Sequence, residues 1–195
     1  MATIYLHVGA HKTASSAIQE GLRQYRGELL SHGLKFSLLP DPTGELIENH
    51  SCMMYSLFTD EPSEYHINVE HGITTPDSAR KLNEKYQEFL ASEARAFKEE
   101  AIVFSGEDMI LLSDLGIRRL RLFISQHFDP GTAVKVICYL RAPQDWFSSL
   151  VQQWVRGGAV LEDALETEFP DIRAHIEPFV RHFGRDNVLI KKFED

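Results

Sequence analysis

Short apolar runs alternate with longer segments of helical spacing along most of this chain. Strand-like runs stand at 3–8, 101–105, 134–140 and 187–193, with a weaker one near Leu34–Ser37. Between them the apolar spacing predicts helices over about 15–31, 77–99, 114–128, 144–156 and 172–183. Strands alternating with helices predict an α/β fold of three layers, αβα, around a mainly parallel sheet. In such sheets ligands bind beyond the carboxyl ends of the strands. Three loops therefore matter most, those after Val8, Phe104 and Leu140.

Two segments modify this rhythm. In 114–128, Leu115, Leu120, Phe123, Ile124 and Phe128 form the expected core face, and Arg118, Arg119 and Arg121 its solvated side. Residues 38–76 carry Pro40, Pro42, Gly44, Pro62, Gly72 and Pro76 among scattered aromatics. They read as a long irregular insert, of the kind that serves as a lid or acceptor-binding loop. Its histidines, His50, His66 and His71, lack the spacing of zinc ligands, so no metal site is expected.

At 195 residues the chain fits a single domain, 1–195, with a proper core. A hydrophobic content of 43% with 25% charged residues describes a folded protein rather than a disordered one. No stretch approaches the roughly 18 apolar residues of a membrane span, and the start lacks a signal-peptide pattern. A cytoplasmic location is the expectation. Cys52 and Cys138 fit it, Cys138 as a reduced residue inside the apolar run Val134–Leu140. The net charge of -9 argues against broad nucleic-acid binding. It leaves room for a small anion, because a few placed cations make a local positive pocket. Oligomeric state is open.

The first loop concentrates the chemistry. The run Ile4, Leu6, Val8 breaks into a turn holding Gly9, Lys12, Thr13, Ser15 and Ser16, and a helix pattern follows at once. Backbone N–H groups, a lysine and small hydroxyls at one helix N-terminus suit a phosphate-like anion. The ATPase signature is absent, since it needs glycine directly before the lysine and His11 stands there. The plainer alternative is a strand–turn–helix with Ser15 or Ser16 as N-cap. His7, at the strand end, reads as a packed histidine bracing the loop.

The third loop begins where Val134–Leu140 ends in Arg141-Ala142-Pro143, followed by a helix carrying Trp146, Phe147, Ser148 and Ser149. Nucleotide hydrolases commonly place a magnesium-holding Asp at such a strand end. An arginine suits an anion instead, and Arg141 can fork two N–H bonds onto a phosphate. Ser149, eight residues on, adds a hydroxyl. The alternative is an arginine paired with a surface carboxylate.

Together the two loops carry a resemblance. His7-Val-Gly-Ala-His-Lys-Thr-Ala-Ser-Ser-Ala-Ile-Gln resembles the 5′-phosphosulfate loop of the PAPS-dependent sulfotransferases, in their bacterial and carbohydrate-type branch. Arg141-Ala-Pro-Gln-Asp-Trp-Phe-Ser-Ser resembles that family's 3′-phosphate motif, and Phe183-Gly-Arg-Asp-Asn-Val-Leu-Ile the strand that follows. The resemblance implies a P-loop nucleotide-hydrolase-like scaffold, the sulfotransferase fold, with PAPS as co-substrate and no metal. It implies that Gly9, Lys12, Thr13, Ser15 and Ser16 hold the 5′-phosphosulfate and that Arg141 and Ser149 hold the 3′-phosphate. Lys12 and Glu107 would be catalytic. Glu107 follows the strand Ala101–Ser105, where carbohydrate sulfotransferases use a glutamate as base, and a carboxylate there can take the acceptor's proton. Ser105 would add a hydrogen bond near the donor. By residue type alone, Glu107 or Asp108 also reads as a cap for a helix beginning near Leu111.

The departures shape the expectation. Ala14 stands in place of the family's glycine, so the loop should avoid a backbone shape that only glycine tolerates cheaply. Ala17 stands where some members carry an adenine-stacking tryptophan. The resemblance implies further helices and loops after 187–193, so the chain ending at Asp195 reads as truncated or as a short member. The function expected is transfer of a sulfuryl group from PAPS to a hydroxyl of a carbohydrate or small molecule. The alternatives are a P-loop kinase-like phosphotransferase, with Glu107 and Asp108 on Mg²⁺, and a nucleotide-binding module without turnover.

Overall fold

The structure is a computed structural model that describes residues 2–10, 12–158 and 170–193. His11 and Asp195 lie outside the described residues. Five strands form one wholly parallel sheet: β1 (Thr3–His7), β2 (Leu34–Lys35), β5 (Ala101–Ser105), β6 (Ala133–Leu140) and β7 (Val188–Lys192). Their order across the sheet is β2-β5-β1-β6-β7. The expected α/β architecture is thus present, with β1 at the centre between β5 and β6.

Strand alternation divides the sheet's faces. Ile4, Leu6, Ile102, Phe104, Val136 and Cys138 point to one side and are buried. They join α3 (Ser51–Phe58), α5 (Pro76–Ala96), α6 (Asp114–His127) and α8 (Ile172–Phe183) in one core cluster. Tyr5, Val103, Ile137 and Tyr139 point to the other side. With Ile18 and Leu22 of α1 (Ser15–Gln24) they line an apolar hollow of about 500 Å³. The third loop leads into α7 (Pro143–Arg156), with proline in its first turn, where its missing N–H costs nothing.

Three expectations change. Residues 15–31 form two helices, α1 and α2 (Arg26–Ser31), because Tyr25 departs to φ -96°, ψ 10° while its N–H still bonds Gly21 O at 3.0 Å. Leu115 is 46% exposed, and Ile117 takes its place in the core stripe with Leu120, Phe123 and Ile124. Arg118, Arg119 and Arg121 are solvated as expected, Arg119 pairing with Asp60 at 2.8 Å.

The largest change concerns residues 38–76, expected as irregular. They hold a hairpin of β3 (Leu39–Pro40) and β4 (Leu46–Ile47), the helix α3, and a short α4 (His66–Glu70). The prolines and Gly44 lie outside α3 and so mask it. Within α3, Cys52, Met53, Met54 and Phe58 are all buried. A helix enclosed on most sides has little polar face, so the 3.6-residue period that reveals a surface helix is missing. Both cysteines are free and buried, and burial pushes the Cys52 thiol up to about 12 and Cys138 up to about 11. Among the described residues no helix is long and apolar enough to cross a membrane.

His50, just ahead of α3, is the joint between this segment and the sheet. Its Nδ1 accepts the Ser105 N–H at 3.1 Å, and its Nε2 lies 2.8 Å from Ser37 O. Those two bonds require the neutral ring with the proton on Nε2. Burial holds both His50 and His7 down to a pKa of about 4, against 6.5 when free. As pH falls through 6.5, the unfolded chain binds protons that the folded one refuses. The stability contributed is therefore complete above 6.5 and lost progressively toward 4, by about 3 kcal/mol per histidine.

Two predictions follow from this packing. Urea unfolding measured between pH 7 and 4.5 should show stability falling with acid, and His50→Gln should flatten that slope by about one proton. A β-carbon on Gly116 would lie 2.6 Å from the Phe58 carbonyl oxygen, a backbone atom that cannot step aside. Gly116→Ala should accordingly cost about 1–3 kcal/mol, read as a lowered melting temperature.

Candidate functional site

Strand register assembles the site. His7 pairs with Ser105 on one side and with Ile137 on the other. The loops leaving β1 and β5 therefore emerge side by side. β6 runs three residues past His7's partner, to Leu140, which carries Arg141 up alongside the first loop. The Val8 N–H bonds Ile137 O at 3.0 Å, and the Gly106 N–H bonds His7 O at 3.0 Å, which ties both neighbours to the start of that loop.

The loop closes on itself and then enters α1. The Thr13 hydroxyl donates to Ala10 O at 2.6 Å and is fully buried. Lys12 and Ala14 both have left-handed backbone, φ 69° and φ 59°. Ala14 therefore adopts the shape that its lack of a glycine hydrogen was expected to forbid. The physical reason is position: Ala14 is exposed, so its methyl meets solvent, and the cost is the intrinsic one of about 1–2 kcal/mol. Left-handed residues set directly before right-handed helical ones turn successive N–H groups to one side, the arrangement of an anion-binding nest.

Ala14 is also the N-cap of α1 and has no side chain to cap with. The alternative of Ser15 or Ser16 as N-cap is thereby excluded, since both lie inside the helix. Ser16 is exposed at its start. Ser15 is buried at 3% exposure, and its Oγ has no hydrogen-bond partner among the described residues. Gly9 faces this hydroxyl. A β-carbon there would sit 2.8 Å from Ser15 Oγ and 2.9 Å from His7 Nε2, so only glycine lets the turn approach so closely.

Charge gathers around the loop. Lys12 is half-buried; desolvation lowers its ammonium below the ordinary range, and the nearby Glu107 carboxylate pulls it back up. Arg141 Nη1 donates to Lys12 O at 3.3 Å, and the guanidinium lies 5.3 Å from the centre of the Phe193 ring. The guanidinium thus faces the lysine-bearing turn. Ser149 is half-buried in the second turn of α7.

Glu107 opens a short 3₁₀ turn, Glu107–Leu111, right after β5. It does not cap the following helix: α6 is capped by Ser113, whose hydroxyl accepts the Gly116 N–H at 3.0 Å. Asp108 is buried and accepts the Tyr65 hydroxyl at 2.6 Å, while its N–H bonds Ser51 Oγ at 3.1 Å. Tyr65 belongs to the 38–76 segment, so Asp108 anchors that segment under the site. Ser105, expected near the donor, is fully buried, and its Oγ lies 2.7 Å from His7 Nδ1, within hydrogen-bond distance. His7 is packed as expected, with Tyr139 edge-on to its ring.

Sequence reasoning missed two contributors. Gln19 Nε2 donates to Ser105 O at 3.2 Å, which pins α1 to the end of β5. Phe193 comes to lie beneath Arg141 because β7 pairs with β6 in the register Leu140↔Lys192. An apolar residue just after a terminal strand carries no signal until that pairing is known.

No family model matches this chain, and no curated protein sequence does either. Among solved structures, a sulfotransferase from Alicyclobacillus acidocaldarius is similar at 14% sequence identity and a TM-score of 0.49. The match covers 99% of this chain and 74% of that one.

Proposed function

We propose that this protein is a sulfotransferase, moving a sulfuryl group from PAPS to a hydroxyl of a carbohydrate or small-molecule acceptor. One observation carries the reading: a nest-shaped loop at an uncapped helix N-terminus, flanked by Lys12, Arg141 and Glu107 from three neighbouring strand ends. The buried Ser15 Oγ, without a hydrogen-bond partner among the described residues at the start of α1, fits an anion with several oxygens.

In this reading the loop amides, Ser15 and Ser16 hold the 5′-phosphosulfate. Thr13, whose hydroxyl proton is spent on Ala10 O, serves by closing the loop and by its backbone N–H. Arg141 and Ser149 hold the 3′-phosphate. Glu107 takes the acceptor's hydroxyl proton as the new O–S bond forms. Lys12 neutralises the charge that collects on the phosphate oxygen as the old S–O bond breaks and leaves its electron pair there. Fixed cations and amides already aimed at that charge supply the stabilisation, without solvent having to reorganise. The 38–76 segment borders the site through Asp108 and Tyr65, and we assign it the acceptor side.

The kinase alternative needs Glu107 and Asp108 together on a metal. The Asp108 carboxylate is engaged with Tyr65 beneath the site, which favours the metal-independent reading.

Calorimetric titration with adenosine 3′,5′-bisphosphate, the desulfonated product, tests the donor site. Lys12→Ala and Arg141→Ala should each weaken binding about 10- to 100-fold, the worth of a charge-assisted hydrogen bond. Affinity retained in the double variant would overturn the assignment. With radiolabelled PAPS and a panel of carbohydrate acceptors, Glu107→Gln should lower turnover about 10²- to 10⁴-fold without weakening bisphosphate binding, since it removes a negative charge beside Lys12.

A further inference from the structure

The buried imidazole of His7 has one nitrogen committed and one aimed at the anion loop. Nδ1 lies 2.7 Å from Ser105 Oγ, while Nε2 is buried and has no partner among the described residues. Nε2 and the equally unpartnered Ser15 Oγ both converge on the side-chain-free face of Gly9, with Thr13 Oγ1 close behind at 3.3 Å from where a β-carbon would be. Two buried polar atoms left open at one spot are costly unless something fills it.

A neutral imidazole has one donor and one acceptor nitrogen. Were the proton on Nδ1, it would go to Ser105 Oγ, and the serine's own proton would then need an acceptor. Among the described residues Ser105 Oγ has none besides His7, and the Ser105 carbonyl is taken by Gln19 and the His50 N–H. With the serine donating to Nδ1, both groups are satisfied and Nε2 carries the proton. His50 reinforces this by gripping the Ser105 N–H, which holds the serine in place.

The geometry points to a proton-locked donor: Ser105 fixes His7 as the Nε2–H tautomer, and His7 Nε2–H and Ser15 Oγ–H together bind an oxygen of a phosphate- or sulfate-type anion seated over Gly9. His7 is then an anion-binding residue and Ser105 a positioning residue that acts through it. This deepens the donor-site reading above and rests on its loop being an anion site. It also explains why a histidine occupies the end of a buried strand, where an aliphatic residue would pack at lower cost.

Long-range ¹H–¹⁵N spectra at pH 7 report the tautomer directly, with inorganic sulfate and adenosine 3′,5′-bisphosphate as separate titrants. The expected result is Nε2–H in the free protein, with the Nε2 resonance moving as sulfate is added. His7→Leu should weaken sulfate binding about tenfold. His7→Gln, whose amide N–H reaches close to the Nε2 position, should keep most of the affinity, and Ser105→Ala should lose several-fold. An Nδ1–H tautomer would overturn the proposal. So would sulfate affinity unchanged in His7→Leu but lost in Lys12→Ala. If His7→Leu fails to fold, the tautomer and His7→Gln decide. Should bisphosphate bind no tighter than sulfate, the nucleotide reading fails while the His7 result stands; should neither bind, both fall.

Discussion

Everything at the candidate site hangs on the parallel register of the central strand. β1 is hydrogen-bonded on both sides, so its carboxyl end is held between two neighbours that cannot slide without breaking a row of bonds. Shifting one strand by a single residue would also turn its buried side chains to the wrong face. That constraint puts the loop after His7, the turn after Ser105 and the arginine after Leu140 within reach of one another. Residues 129 positions apart in the chain, Lys12 and Arg141, meet as carbonyl and guanidinium for this reason.

The loop itself is held in a conformation it would not choose alone. Two non-glycine residues sit in left-handed backbone, and a helix begins behind an alanine that offers its N-terminus no cap. Strain of this kind persists where surrounding structure over-determines it. Here the surroundings are specific. Thr13 closes the turn on Ala10, Gln19 pins α1 to β5, and Arg141 holds the Lys12 carbonyl. The result brings Lys12 and Arg141 together at one loop of a protein whose net charge is -9. Local placement outweighs the global sum because water and salt screen the distant surface carboxylates, while Lys12 and Arg141 act at close range.

The 38–76 segment shows how a scaffold and a site can share parts. Its helix α3 belongs to the hydrophobic core, yet its edges reach the site: His50 and Ser51 bond the backbone of Ser105 and Asp108, and Tyr65 bonds the Asp108 carboxylate. Changes in this segment will therefore be felt both in stability and in the placement of the turn that carries Glu107.

Much was legible in the sequence. The four main strands, the helices at 76–96 and 143–156, and the loop with its lysine and hydroxyls all follow from local pattern. A buried strand shows as an apolar run and a surface helix as a 3.6-residue stripe, whatever the rest of the chain does. What the chain alone could not reveal depends on pairing. The helix at Ser51–Phe58 was hidden because enclosure on most sides removes the polar face that marks a helix. The inward turn of the Asp108 carboxylate, the ring of Phe193 beneath Arg141 and the two open atoms over Gly9 arise only when separate strands come into register. Hydrogen-bond partners distant in sequence leave no trace in local composition, so those features belonged to the tertiary structure to decide.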